Sequence, residues 1–333
     1  MKRLTITISL CLVHIGLIAQ YAPQAGVTGS TAVHKSSGLF TGWATGCTIN
    51  RGYQDIADKS KGYTSTGDES LTVGKPDITV ASLGDSGVAT LTFSHPIYNG
   101  TGADFAVFEN GFANPANPEE AFLELAFVEV SSDGQRFVRF PSSSLTPVTT
   151  QIPVAGVYND ARNLHNLAGK YIGNYGTPFD LEELKDSVGL DVNNITHVRL
   201  VDVIGDINVH KSYDKDGKVI NDPYPTSIPT GGFDLDAVGA FHQHGLFPAS
   251  VNPLVDVLTG VYPNPTTDKF QFSLRNANGI SYTLTDVMGK AVIVSKPATD
   301  ENHIDLSGCG KGIYYLVLAD TDGNKWVERI TKL

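Results

Sequence analysis

Residues 122–141, FLELAFVEVSSDGQRFVRFP, set two β-prone runs on either side of Asp133-Gly134, and this is the pattern that most restricts the fold. Alternation with period two marks a strand that buries one face, and Asp-Gly supplies the left-handed backbone of a tight hairpin. Related runs recur along the chain. ITVASL and GVATLTFS flank Gly84-Asp85 and read as a second hairpin. GADFAVFENGF, residues 102–112, reads as a strand ending in a Glu-Asn-Gly turn, and THVRLVDVIGD and GGFDLDAVGAFHQ read as further strands. Residues 20–75 are rich in Gly, Ser and Thr with weak periodicity, so irregular structure with short strands is expected there. FDLEELKDSVG, residues 179–189, predicts a helix. Asp180 is a good N-cap, Glu183 completes a capping-box spacing, and Leu181, Leu184 and Val188 share a face. The sum is an all-β chain: a jelly-roll-like β-sandwich with one inserted helix over residues 20–250.

A length of 333 residues leaves room for a second unit. Phe247 to Asn252 reads as a linker start, with Pro248 and Pro253 breaking regular structure, so a linker is set at 251–258. Beyond it, KFQFSLR, ISYTLTDV, KAVIVS, HIDLS, GIYYLVLAD and KWVERITKL follow closely, with Gly289 and Asp322-Gly323 at turns. Residues 259–333 therefore predict a small immunoglobulin-like β-sandwich. Its motifs come in a fixed order: Tyr262-Pro263-Asn264-Pro265-Thr266, Asp286-Val287-Met288-Gly289-Lys290, Ile304-Asp305-Leu306-Ser307, Gly312-Ile313-Tyr314, then Lys325, Arg329 and Lys332. This set resembles the type A C-terminal sorting domain of the type IX secretion system of Bacteroidetes. The resemblance implies export across the outer membrane by the type IX machinery, with release or surface attachment. Cys309 stands where that family more often has an aliphatic residue.

The N-terminus carries a matching address. Lys2 and Arg3 precede a short apolar stretch ending at Ala19, which reads as a secretory signal peptide over residues 1–19. The net charge of −11, which loss of Lys2 and Arg3 would take to −13, argues against a nucleic-acid partner. No transmembrane segment is expected in the mature chain. Two cysteines, Cys47 and Cys309, would remain, one in each unit, and both read as free core thiols.

The ordered set DFAVFENGF, FVEVSSDGQRFVRFP, VRLVDVIGD, DPYPT and GGFDLDAVG, across about residues 70–245, resembles a family of secreted bacterial proteins called simply cell surface proteins. It implies a secreted β-sandwich and supplies no reaction. Chemistry must come from the residues. Acidic groups gather at strand ends and turns, and calcium takes six to eight hard oxygens from such loops. Calcium is therefore the expected cofactor, with Asp104, Glu109, Asp202, Asp206, Asp234 and Asp236 as candidate ligands. Asp234 and Asp236 would share a face if FDLDAV is a regular strand. Glu109 with Glu124, Glu129 or Asp236 could alternatively form the carboxyl pair of a glycosidase. His242 and His244, with His210 or a carboxylate, could hold zinc. The long segment 142–195 is the first place to seek a ligand, with Tyr158, Asn163, His165, Tyr171 and Tyr175 as candidate contacts. The expected function is a secreted or surface-held, non-catalytic binding or adhesion protein, with carbohydrate as the leading extracellular ligand. The alternatives are an extracellular polysaccharide hydrolase, or a capture protein passing a nutrient such as a corrinoid to an outer-membrane transporter.

Overall fold

The structure is a computed structural model that describes residues 21–244, 258–286, 291–319 and 325–333. The expected leader, most of the linker, and the turns at Gly289 and Asp322-Gly323 lie outside the described residues. Among the described residues no helix is long and apolar enough to cross a membrane.

Two antiparallel sheets face each other in the first unit. One contains β1 (Val33–His34), β15 (Tyr175–Phe179), β6 (Phe105–Glu109), β17 (Asp234–Ala240) and β2 (Gly42–Trp43) in that spatial order, with β4 (Ala81–Ser82) also paired to β17. The other runs β10 (Val138–Arg139), β9 (Ala126–Ser131), β16 (Ile195–Asp202), β5 (Val88–Ile97) and β3 (Gly46–Asn50), with β14 (Leu167–Ala168) on β9. Register follows side-chain alternation. On β6, Phe105 and Val107 enter the main core, while Ala106 and Phe108 pack with Phe40 on the opposite face. On β9, Ala126, Val128 and Val130 enter the main core, while Phe127 joins Leu123, Leu125, Leu164 and Ile220. Both faces of these central strands are covered, so their sequences read as continuous apolar runs.

The hairpin at 122–141 forms. Val138 pairs with Val130 and Arg139 with Glu129, and Gly134 takes φ 73° in the turn. Asp133 Oδ1 accepts the amides of Gln135 (2.8 Å) and Arg136 (2.9 Å). The hairpin expected around Gly84-Asp85 does not form. β4 pairs with β17 and β5 with β16, so the turn carries the chain from one sheet to the facing one. A Gly-Asp turn reads identically whether the next strand returns to the same sheet or crosses the core.

The expected helix is a single 3-10 turn, Leu181–Leu184. Asp180 does cap it, accepting from the Glu182 amide at 3.0 Å. Glu183 does not reach back to close the box. Its carboxylate accepts instead from Asn166 Nδ2 at 2.7 Å. Leu181 and Leu184 are buried, but Val188 is 80% exposed, so a second turn would have buried nothing.

A small sheet lies beside the sandwich: β7 (Phe112–Asn114), β8 (Asn117–Phe122) and β12 (Asn159–Asp160), with β8 central. A further short pair joins β11 (Ser143–Ser144) and β13 (Leu164–His165). The segment expected to be one long loop is therefore tied down at several points.

In the C-terminal unit all the expected runs are strands. A three-stranded sheet orders β18 (Leu258–Tyr262), β19 (Lys269–Leu274) and β22 (Glu301–Asp305). A four-stranded sheet orders β21 (Ala291–Pro297), β20 (Ser281–Asp286), β23 (Gly312–Ala319) and β24 (Lys325–Lys332). They enclose Phe272, Leu284, Leu306, Leu316 and Ile330, with Cys309 packed against this core. The Pro-rich entry docks on β24 through Asn264, whose side chain donates to Arg329 O (2.6 Å) and accepts from the Thr331 amide (2.9 Å). Buried Lys332 donates to Leu306 O (2.6 Å) and Cys309 O (2.7 Å). Cys47 and Cys309 are both free.

Candidate functional site

The acids expected to ligate calcium are mostly holding turns. Asp104, fully buried, accepts the amides of Gly100 and Leu181 at 2.7 Å each and pairs with His242 Nδ1 at 2.7 Å. Asp202 accepts from Phe233 (2.7 Å) and Ser86 (3.2 Å). Asp206 takes three amides, Asn208, Val209 and His210; burial opposes its charge, yet these donors hold its carboxyl below the ordinary carboxylate range. Asp236 accepts from Asp77 and Ile78 (3.1 Å each), and burial lifts it to about 6. Asp234 instead meets Ser82 Oγ and Asn110 Nδ2. The expected shared face is lost where the register of β17 shifts between Leu235 and Ala237, and the two carboxylates meet different partners. Among the described residues no three His, Cys, Asp or Glu side chains are grouped as a ready metal cage.

Some acids nevertheless gather. Glu109, Glu124, Asp202, Asp222 and Asp234 are all buried. Burial first, then their mutual repulsion, drives Glu109 and Glu124 well above the ordinary carboxyl range. Asp202 and Asp222 are raised for the same reasons, and Asp234 is raised by burial. No Lys, Arg or His is among the strongest influences on any of the five. Glu129 is the contrast. It is also buried, but Arg139 Nε (2.8 Å) and Arg199 Nε (2.6 Å) neutralise it. Of the proposed acid/base partners of Glu109, Glu124 is buried within reach of its repulsion, while Glu129 is occupied by arginines.

The candidate ligand residues of segment 142–195 separate. Tyr171 is 1% exposed, with its hydroxyl on Thr31 Oγ1 at 2.8 Å; burial raises it above the usual phenol range. Tyr175 sits in β15 with its ring edge-on to His34 at 5.0 Å. His165 stacks on Tyr21 at 4.7 Å, and burial, then Lys170 and Lys215, lowers its basicity. Asn163 ends a short 3-10 turn, and its carbonyl accepts the Leu145 amide at 2.7 Å. The zinc candidates separate as well: His244 Nε2 meets Asn193 O at 2.7 Å, while His242 is taken by Asp104.

Tyr158 joins an exposed group of phenylalanine rings. Phe112 and Phe122 are register partners across β7 and β8, with rings stacked at 5.2 Å. Tyr158 stands edge-on to Phe112 at 6.2 Å, and Phe112 is 55% exposed. Polar groups of the same small sheet surround it. Asn114 Nδ2 donates to Glu120 (3.0 Å), and Arg162 bridges Asp160 (2.8 Å) and Glu119 (3.0 Å). Gly111 makes the arrangement possible, since a Cβ there would lie 2.8 Å from both Glu109 Oε2 and Phe122 O. Sequence reasoning missed Phe112 and Phe122 because a phenylalanine in a strand run reads as core. The signal was their placement on both arms of a hairpin that follows Glu-Asn-Gly.

Residues 260–332 match the family described as the secretion system C-terminal sorting domain. The sorting domain read from the sequence is thus present, and it marks the chain for export by type IX secretion to the cell surface or the extracellular space. An endo-acting ulvan lyase of Formosa agariphila is 32% identical over 71 residues, which is 21% of this chain and 14% of the lyase. Among solved structures, the BSP domain of a biofilm associated protein is 8% identical and aligns over 88% of this chain and 52% of its own, at TM-score 0.20. A β-glucuronidase from Ruminococcus gnavus is 10% identical, over 86% and 45%, at the same TM-score of 0.20. This chain therefore spans only part of each relative.

Proposed function

We propose that this protein is a secreted or surface-held binding protein whose ligand is carbohydrate, taken by the aromatic platform of Phe112, Phe122 and Tyr158. The observation that carries the reading is the exposure of Phe112 beside two further aromatic rings. Large exposed aromatics cost hydration unless something flat and partly apolar covers them. A pyranose ring has such a face, and its hydroxyls need planar donors and acceptors at the edge. Asp160, Arg162, Glu119, Glu120 and Asn114 supply them. Export by type IX secretion delivers the chain to where extracellular polysaccharide is met.

The test is a glycan-array and soluble-polysaccharide binding screen with the full chain, Phe112→Ala and Tyr158→Ala. The expected result is saturable binding that each substitution weakens about tenfold or more, near the cost of losing one stacked contact. Unchanged binding by both variants, or no glycan bound, overturns the platform. Shortening of the polysaccharide during the assay would favour the hydrolase reading instead.

A further inference from the structure

A second exposed aromatic pair lies outside the platform. Tyr53 and Tyr63 stack at 4.7 Å with their planes 23° apart, and Tyr63 is 56% exposed. The loop that carries them is tied tightly. The Tyr53 amide donates to Asp85 O (3.2 Å) and the Asp85 amide to Tyr53 O (2.8 Å). The Gln54 amide donates to Gly62 O (3.0 Å), the Thr64 amide to Gly52 O (3.1 Å), and Gln54 Nε2 to Tyr63 O (3.0 Å). Asp55 fastens the same loop, accepting from Lys61 Nζ and Ser227 Oγ at 2.7 Å each. A ring on backbone held this firmly, and open to water, loses little freedom on meeting a flat ligand.

Hydrogen bonds lead from this pair to the platform. Asn110, two residues before Phe112, donates to Asp234 Oδ2 at 3.1 Å, and Ser82 Oγ donates to Asp234 Oδ1. Ser82 O accepts in turn from Arg51 Nη1 and from Oγ1 of Thr64 (3.3 Å), the residue after Tyr63. The backbone follows the same route. Glu109, Leu235 and Ala81 are register partners on β6, β17 and β4, and the Gly52 amide donates to Leu83 O at 2.7 Å. The roots of the two aromatic groups therefore stand about three strand spacings apart, about 15 Å, at one end of the sandwich.

We propose that Tyr53 and Tyr63 form a second carbohydrate station and that, with the Phe112 platform, they hold one extended polysaccharide chain across this end of the sandwich. This requires that the platform itself takes carbohydrate. The face of Tyr63 turned away from Tyr53 offers a second pyranose the stacking surface that Phe112 offers the first. Lys59, whose ammonium lies 4.8 Å from the Tyr53 ring centre, supplies a donor for sugar hydroxyls at its edge. A shared polymer is favoured over two unrelated ligands because both groups are stacked aromatic pairs beside charged side chains, rooted on the same run of paired strands. A disaccharide is too short to bridge them, so the ligand class is a chain of several linked sugars. Once one station is filled, the other meets the same chain at high local concentration, and affinity rises with chain length.

The experiment is isothermal titration of the full chain with the biose and the hexaose of the cello-, xylo-, manno- and laminari-oligosaccharide series. The wild type should bind the hexaose of one series at least about thirtyfold more tightly than its biose. Tyr63→Ala should reduce that ratio about tenfold, near the loss of one stacked contact, while Tyr63→Phe, which keeps the ring, should preserve it. Phe112→Ala should weaken both ligands. Val188→Ala, at a position 80% exposed and outside both aromatic groups, should bind as wild type. An unchanged ratio in Tyr63→Ala, with Phe112→Ala weakened, overturns the second station and leaves the platform standing. A hexaose bound no more tightly than the biose overturns the shared chain in the same way. Wild-type binding by Phe112→Ala, or no sugar bound at all, overturns platform and shared chain together.

Discussion

The two sandwiches of this chain spend their interiors differently. The C-terminal unit buries an apolar core, and its buried polar side chains among the described residues are Thr266, Asn302 and Lys332. The first unit buries Asp104, Glu109, Glu124, Glu129, Asp202, Asp222 and others within the same kind of architecture. Acids placed at such cost are retained when they hold loops or a ligand. The sorting unit needs only to fold and be recognised, so a plain core serves it. The first unit must also hold loops that no regular strand ladder fixes, and its carboxylates accept amides wherever the chain turns.

The largest effect should come from the acid that holds the most loops. Asp104→Ala removes the acceptor for two backbone amides and for His242, and should destabilise the first unit by about 3 kcal/mol or more. Differential scanning calorimetry should show that loss in one transition while the sorting unit melts unchanged. A shift in both would break the contrast between them.

Next comes pH. Asp85 and Asp236 are raised by burial to about 6, and burial also raises Glu109, Glu124, Asp202 and Asp222 well above the ordinary range. The folded unit therefore binds more protons than the unfolded chain. Its stability is full below the ordinary carboxyl range and falls as pH rises through about 6. Asp85 alone should cost about 3 kcal/mol across that window. Asp55 runs the other way. Burial opposes its charge, but Lys61, Ser227 and the Ala57 amide hold it to about 2, so its contribution is lost only on strong acidification. Chemical denaturation at pH 5 and pH 8 should therefore favour pH 5 for the first unit. Equal midpoints would show that those acids are neutralised by something else.

A moderate effect belongs to the C-terminal unit. Lys332→Met removes the donor to Leu306 O and Cys309 O and should lower that unit's unfolding free energy by about 1–3 kcal/mol, read from its thermal transition. The smallest expected change is Asp133→Ala, which loses a turn acceptor for two amides at an exposed hairpin tip. It should cost about 1 kcal/mol, read from urea midpoints.

Legibility in the sequence followed how local each cause was. The Asp133-Gly134 hairpin, the cap at Asp180 and the strands of the sorting unit depend on neighbours within a few residues, and each could be read directly. The Gly84-Asp85 turn could not, because its strands divide between two facing sheets. The helix stopped after one turn because Val188 had no surface to cover. The acids were recognised as a class, but their partners were not. Glu124 and Asp222 are 98 positions apart in the chain, and only the folding of β8, β9 and the segment after β16 brings them under mutual influence. Phe112 was missed because burial is decided by what lies above a strand, which alternation alone does not state.

The sequence by itself determined an all-β chain with a sorting unit at its end, since strand period, turn residues and an ordered motif set are written in adjacent positions. Tertiary structure alone decided which carboxylates cap turns, which meet arginine and which stand uncompensated together. Those outcomes are set by distance and dielectric between residues far apart in the chain, and no local pattern encodes either one.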